Sequence, residues 1–286
     1  MPFASVNRHD LYFEDSGGNR PAVIFSHGFL LDHSMWAEQV EAFSGQLRCI
    51  TWDQRGHGMS DCLGPFDYYD SASDAIGILD HLGIEKATFV GMSQGGFLSL
   101  RAALKFAPRV KALALIGTAA APPADEVLDA QREIADTWLA QGPVGEIATR
   151  MATLIFGPKY KAEPWIGKWQ AKPPCEFAHP WEAMLARDDF TSSLKDVRCP
   201  SLLIHGSKDA AFALDAAKAL RDGLPDCKGL VVVRGAEHAA NLTHAKAVNE
   251  ALLVYVVHDT NPHALGRNVR GYTQAQHWFQ DLTTIS

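Results

Sequence analysis

The residues best able to do chemistry are a serine, an aspartate and a histidine, in that order along the chain. Ser93 lies in Gly91-Met92-Ser93-Gln94-Gly95-Gly96, between a β-like run, Ala87-Thr88-Phe89-Val90, and a helical pattern from Gln94 to Phe106. A serine on a sharp strand-to-helix turn has a strained backbone. Flanking glycines let neighbouring chain approach, and the helix N-terminus that follows favours negative charge there. A serine hydroxyl is a poor nucleophile at neutral pH. It needs a base within hydrogen-bond reach, and the base needs an acid to orient it. His238, in Gly235-Ala236-Glu237-His238-Ala239, follows the last β-like run, and Asp209, in His205-Gly206-Ser207-Lys208-Asp209, follows the run before it. Both loops are expected at the same sheet edge as Ser93. Glu237 and Asp215 compete for the role of acid. Adjacent side chains rarely face each other, which counts against Glu237, and Asp215 lies further along the next helix. His27-Gly28-Phe29 follows another β-like run. The backbone N–H groups of Phe29 and Gln94 are therefore the expected donors to an oxyanion. His27 reads as support for its loop rather than as a base. Phe29 and Met92 flank the expected site and are candidate substrate contacts.

The elements that must position these residues alternate in type. Leu11-Tyr12-Phe13, Ala22 to Phe25, Leu47 to Trp52, Ala87 to Val90 and Val110 to Ile116 read as strands. Asp32 to Phe43, Asp70 to Leu82 (with Asp70 as N-cap and Gly83 as stop) and Gln94 to Phe106 read as helices between them. The near-continuous apolar strands fit a parallel sheet covered on both faces. From 120 to 190 no strand is convincing. Pro122-Pro123, Gly142-Pro143, Gly157-Pro158 and Pro173-Pro174 punctuate helical pieces at Asp125 to Gln141, Val144 to Phe156 and Pro180 to Phe190. Trp138 and Trp165 in this stretch are further candidate substrate contacts. Alternation resumes with strands at Ser201 to His205 and Leu230 to Val233, and helices near Phe212 to Arg221 and His244 to Val257. The last 29 residues, His258 to Ser286, have weak periodicity and read as a tail, disordered or loosely docked.

Composition narrows the partners. Of 286 residues, 47% are hydrophobic and 21% charged, with a formal net charge of −7. That is too apolar for a disordered chain, and the acidic balance argues against nucleic acid as a partner. No apolar run is long enough for a transmembrane helix, and Met1-Pro2-Phe3-Ala4-Ser5 does not open a signal peptide. No membrane partner is expected. Five scattered cysteines without a C-x-x-C pair suit a reduced, cytoplasmic protein. The twelve histidines show no zinc-ligand spacing, so neither a metal nor a cofactor is expected.

Taken together, His27-Gly28-Phe29, the stretch Asp53 to Ser60, Gly91 to Gly96, the Gly206/Asp209 loop and Gly235/His238 resemble the α/β-hydrolase fold family over residues 3 to 257. The stretch Phe29 to Trp36 is similar to the 3-oxoadipate enol-lactonase and cofactor-free haloperoxidase type of esterase. The resemblance implies an α/β fold, a mostly parallel central sheet flanked by helices, divided into a core of residues 1–119 and 191–257 and a helical cap inserted at 120–190. It implies a catalytic triad of Ser93, Asp209 and His238 acting on a small-molecule ester or lactone. Asp53, Arg55 and Gly58 match a structural stretch of the family. Ala210-Ala211 stands where relatives often carry a proline, which loosens the expected placement of Asp209. With serine rather than a carboxylate at the nucleophile position, dehalogenase and epoxide-hydrolase chemistry are disfavoured. Two enzymatic alternatives keep the triad: C–C bond hydrolysis, and haloperoxidase-like perhydrolysis. A third reading is a non-catalytic ligand receptor on the same fold.

Overall fold

The computed structural model describes residues 2–259 and 283–285. The chain opens with a hairpin, β1 (Phe3–Val6) and β2 (His9–Asp15), joined by Asn7 and Arg8 at φ 50° and 71°. Two positive-φ residues give the turn that matches strand twist. β1 was not expected from the sequence, because the turn carries arginine where glycine is usual. Next come β3 (Ala22–Ser26), α1 (Ala37–Phe43), β4 (Arg48–Trp52), α2 (Tyr68–His81), β5 (Ala87–Met92), α3 (Gln94–Lys105) and β6 (Val110–Ile116). Then four helices leave the sheet: α4 (Asp125–Gln141), α5 (Gly145–Phe156), α6 (Glu163–Ala171) and α7 (Ala178–Leu185). The chain returns through β7 (Ser201–Gly206), α8 (Leu214–Gly223), β8 (Cys227–Val233), α9 (Ala240–Thr243) and α10 (Ala245–Leu253).

Nine described strands form one sheet in the order β1-β2-β4-β3-β5-β6-β7-β8-β9. The β1/β2 and β2/β4 pairs are antiparallel, and all others are parallel. Every residue of β3, β5 and β7 is buried, which accounts for their unbroken apolar runs. The chain runs from β3 to β4 on one side, then returns across β3 to β5 on the other. The ends of β3 and β5 therefore flank a topological switch point, where such sheets open a crevice. β9 (Thr283–Ile285) lies parallel to β8, and Arg234 N–H donates to Ile285 O at 2.6 Å. The rest of the expected tail, 260–282 and 286, lies outside the described residues. Among the described residues no helix is long and apolar enough to cross a membrane.

One helix start differs from the sequence reading. α2 begins at Tyr68, with Asp67 rather than Asp70 as its cap. Asp67 accepts from the N–H groups of Tyr69 and Asp70, and the Asp70 carboxylate accepts from Asp67 N–H at 3.1 Å. This reciprocal box satisfies otherwise orphaned donors. Periodicity places the helix but not which of two aspartates caps it. On the buried face of α2, Asp74 takes Arg55 Nε at 2.5 Å, Arg55 Nη2 at 2.8 Å and Asn7 Nδ2 at 2.8 Å. That ion pair fixes the loop after β4 to α2. Removing one partner of a buried pair typically costs about 3–5 kcal/mol. Asp74→Ala should lower the unfolding free energy by about that amount in urea melts. A loss under about 1 kcal/mol, the range of an exposed pair, would contradict this assignment.

Candidate active site

Ser93 joins β5 to α3 at φ 53° and ψ −115°, a conformation that side-chain-bearing residues rarely adopt. Such strain costs of order 1–3 kcal/mol and persists only where the surroundings enforce it. Here Ser93 N–H donates to Ile116 O at 2.9 Å, and Thr118 Oγ1 donates to Ser93 O at 2.8 Å. The glycines act through close approach rather than positive φ. A Cβ on Gly91 would collide with the Gly95 carbonyl, and one on Gly95 with the Ser26 carbonyl. Backbone contact thus locks the start of α3 against the end of β3.

Asp209 and His238 meet from neighbouring loops, after β7 and β8. His238 Nδ1 lies 2.9 Å from Asp209 Oδ2, and the carboxylate is fully buried. Asp209 Oδ1 accepts from the N–H groups of Ala211 and Phe212, both at 2.9 Å. Ala211 therefore supplies a donor that a proline would lack, and Asp209 is clamped rather than loosened. Burial alone would raise the Asp209 carboxyl. The electrostatic attraction and hydrogen bond of the His238 ring, the Phe212 N–H and His205 outweigh it and hold the group below the usual carboxylate range. Neither rival takes this place. Glu237 packs against Gly157 at the end of α5, and Asp215 is exposed and paired with Lys218. Sequence reading missed Gly117, after β6, at φ +51°. A Cβ there would sit 3.0 Å from His238 O, 3.2 Å from Asp209 Oδ2 and 3.3 Å from His238 Nδ1. A lone glycine ending an apolar strand was its signal.

Phe29 and Gln94 stand beside Ser93. Among the described residues, neither backbone N–H has an acceptor. The Gln94 side chain is held: Tyr68 Oη donates to its Oε1 at 3.2 Å, and its Nε2 lies 3.4 Å from His57 Nε2. Below it, His57 Nδ1 bonds Arg55 O at 2.9 Å. His27 Nε2 accepts from Gln54 N–H at 2.9 Å, so its Nδ1 carries the proton and bonds Gly28 O at 2.8 Å. Burial pushes His57 well below the usual histidine range and His27 in the same direction. Both are neutral supports, as expected for His27.

A cavity of about 320 Å³ opens over Ser93 and His238. Phe29 and Met92 line it, with Leu31, Trp181, Met184 and Phe212 around them. α4 and α5 contribute Val127, Ile134, Met151, Leu154 and Ile155, with Gln131 and Arg150. Trp138 and Trp165 do not line it, which corrects the sequence reading. Trp138 packs on Trp169, Phe177 and Trp181, and Trp165 stacks on Phe156 beneath Lys168. Those helix faces join helix to helix and helix to loop. Sequence composition alone could not tell such a face from a pocket wall.

Asp32, His33 and Asp53 bring potential metal ligands within 4.8 Å of one another. Their donors and acceptors already serve the protein. Asp53 Oδ1 takes His33 N–H at 2.7 Å and Nδ1 at 2.8 Å, and Asp32 is bound by Lys168 and Ser34.

The family model described as the alpha/beta hydrolase fold matches residues 21–245. The chain belongs to the α/β-hydrolase fold family and is a hydrolase. It is 30% identical over 230 residues to 3-oxoadipate enol-lactonase 1 of Acinetobacter baylyi, covering 78% of this chain and 84% of that one. Among solved structures it is similar to the enol-lactonase from Burkholderia xenovorans, with TM-score 0.80, 28% identity and coverage of 89% and 99%. A thermophilic esterase from Thermogutta terrifontis matches with TM-score 0.80, 28% identity and coverage of 89% and 97%.

Two measurements check this description. Gly117→Ala forces a side chain into positive φ beside the Asp209–His238 pair, so hydrolytic activity is expected to fall at least about 10-fold. Full activity would show that the pair tolerates displacement. The second concerns pH. A histidine whose folded value is depressed lends stability that is present above its unfolded value, about 6.5, and lost as pH falls towards the folded value. Urea stability should therefore decline from pH 7 to pH 5.5, with a shallower slope in His57→Gln. An unchanged slope would contradict burial of neutral His57.

Proposed function

We propose that the protein hydrolyses a compact carboxylic ester or lactone through an acyl-serine intermediate, with Ser93 as nucleophile, His238 as base and Asp209 as its orienting acid. The observation that carries this reading is a single juxtaposition. Ser93 and His238 share the wall of one apolar cavity, and the second nitrogen of His238 is bound to a buried carboxylate. Bonding of Nδ1 to Asp209 leaves Nε2 unprotonated and free to act as the base.

In the proposed cycle, His238 Nε2 takes the Ser93 proton as Oγ bonds to the substrate carbonyl carbon. The carbonyl oxygen becomes an oxyanion that accepts from the N–H groups of Phe29 and Gln94, with the N-terminus of α3 behind it. Collapse expels the alcohol, which receives the proton from His238. Water then attacks the acyl-serine, giving its proton to His238, and the acid leaves as Ser93 recovers that proton. In a lactone the alcohol and acid are one molecule, so a single open-chain product results. Helices α4 to α7 act as a cap that shields the acyl group. The cavity lies at the small end of the range for small-molecule sites, which favours short acyl chains and small rings. Similarity to an enol-lactonase and an esterase supports both substrate types. The reaction requires no metal or cofactor, and the cytoplasm is the proposed location.

Ser93→Ala is expected to abolish both turnover of short-chain nitrophenyl esters and lactones and covalent labelling by an organophosphonate. The folded state should survive, since alanine keeps the Cβ. Undiminished hydrolysis by this variant would overturn the proposal.

A further inference from the structure

The loop that carries the Phe29 N–H is bent against the preference of its own residues. Leu31 N–H closes a four-residue turn on Gly28 O at 3.1 Å, and Leu30, in its third position, has φ 63°. A turn of that shape normally places glycine there. Two residues of α6 hold the turn from outside the cavity. The Trp169 indole Nε1–H donates to Leu30 O at 2.6 Å. Lys168 Nζ donates to Asp32 Oδ2 at 2.7 Å and to Ser34 Oγ at 2.8 Å. Trp169 is only 2% exposed and packs on Trp138 with ring centroids 5.7 Å apart, so its N–H has a fixed direction. Neither Trp169 nor Lys168 lines the cavity.

We infer that Trp169 and Lys168 are positioning residues for the acyl-transfer reaction, holding the strained Gly28–Leu31 turn so that Phe29 N–H faces the oxyanion. The inference rests on the reading of Ser93 as nucleophile. It makes docking of α6 and completion of the oxyanion site a single event. With α6 docked, the Leu30–Leu31 peptide is fixed, and its N–H holds Gly28 O, the carbonyl of the peptide that carries Phe29 N–H. With α6 lifted, the turn relaxes towards ordinary backbone, and a bound substrate loses one of its two donors.

Two conservative variants test this. Trp169→Phe removes one N–H and keeps an aromatic ring. Lys168→Met removes the charge and keeps the stem of a half-exposed residue. The readouts are kcat and KM on a short nitrophenyl ester, and the inhibition constant of a trifluoromethyl ketone of matching chain length. That ketone forms a hemiketal with the nucleophile, and its oxyanion needs the same donors as the transition state. Each variant is expected to lower kcat and weaken the ketone in parallel, by about 10-fold or more, with KM within about twofold. Unchanged kcat, a change confined to KM, or a fall in kcat with full ketone affinity would each overturn the inference. Should Trp169→Phe fail to fold, Lys168→Met carries the test alone. Organophosphonate labelling of the wild-type chain separates the two levels. Labelling at Ser93 with unaltered variants removes this inference only, whereas absence of labelling removes the acyl-transfer reading and this inference with it.

Discussion

The close crossing of three backbone segments beneath Ser93 is the constraint from which the site follows. The carbonyl of Ser26, at the end of β3, rests on Gly95, and the carbonyl of Gly95 rests on Gly91. No side chain fits in either gap. β3, β5 and the start of α3 are thereby held at backbone distance, and Ser93 is forced to φ 53°. The same contact sets the spacing between the loop bearing Phe29 and the helix start bearing Gln94. One strand further along, Gly117 leaves room for Asp209 and His238 by the same device.

Beneath this frame lies a polar layer kept neutral by burial. His27, His57, Gln54, Gln94 and Tyr68 bond one another or backbone, and the tautomer of His27 is set by a backbone N–H. Above the frame the environment is reversed. Helices between β6 and β7 supply Val127, Ile134, Met151, Leu154 and Ile155, so Ser93 sits at the boundary between an apolar cavity and a hydrogen-bonded polar floor. Low polarity on the cavity side strengthens every charge interaction made there.

Residues that act through their own backbone or immediate neighbours were legible in the sequence. Gly91-Met92-Ser93-Gln94-Gly95-Gly96 marked the turn, β6 ran from Val110 to Ile116 as its apolar pattern required, and α4 matched its predicted span of Asp125 to Gln141. The positions of Asp209 and His238 at strand ends followed from alternation alone. Features whose local sequence carries no usual signal, or that depend on contacts distant in sequence, were not legible. β1 depends on a turn through Asn7 and Arg8, and α6 carries little periodicity, with Pro164 and Gly167 within nine residues. Trp138 and Trp165 looked like pocket walls but pack helix against helix, because a tryptophan's surroundings are set by which helices meet. Trp181, a residue of the same type in the next helix, does reach the cavity.

The acyl-serine intermediate is tested most directly by product partitioning. Two esters of one short acid, differing only in the leaving alcohol, are hydrolysed in the presence of methanol, and the ratio of methyl ester to free acid is measured for each. A common acyl-serine has lost its leaving group before water or methanol attacks. The two esters should then give the same ratio. A ratio that depends on the leaving alcohol would show that water attacks the ester directly, and would contradict Ser93 as the nucleophile.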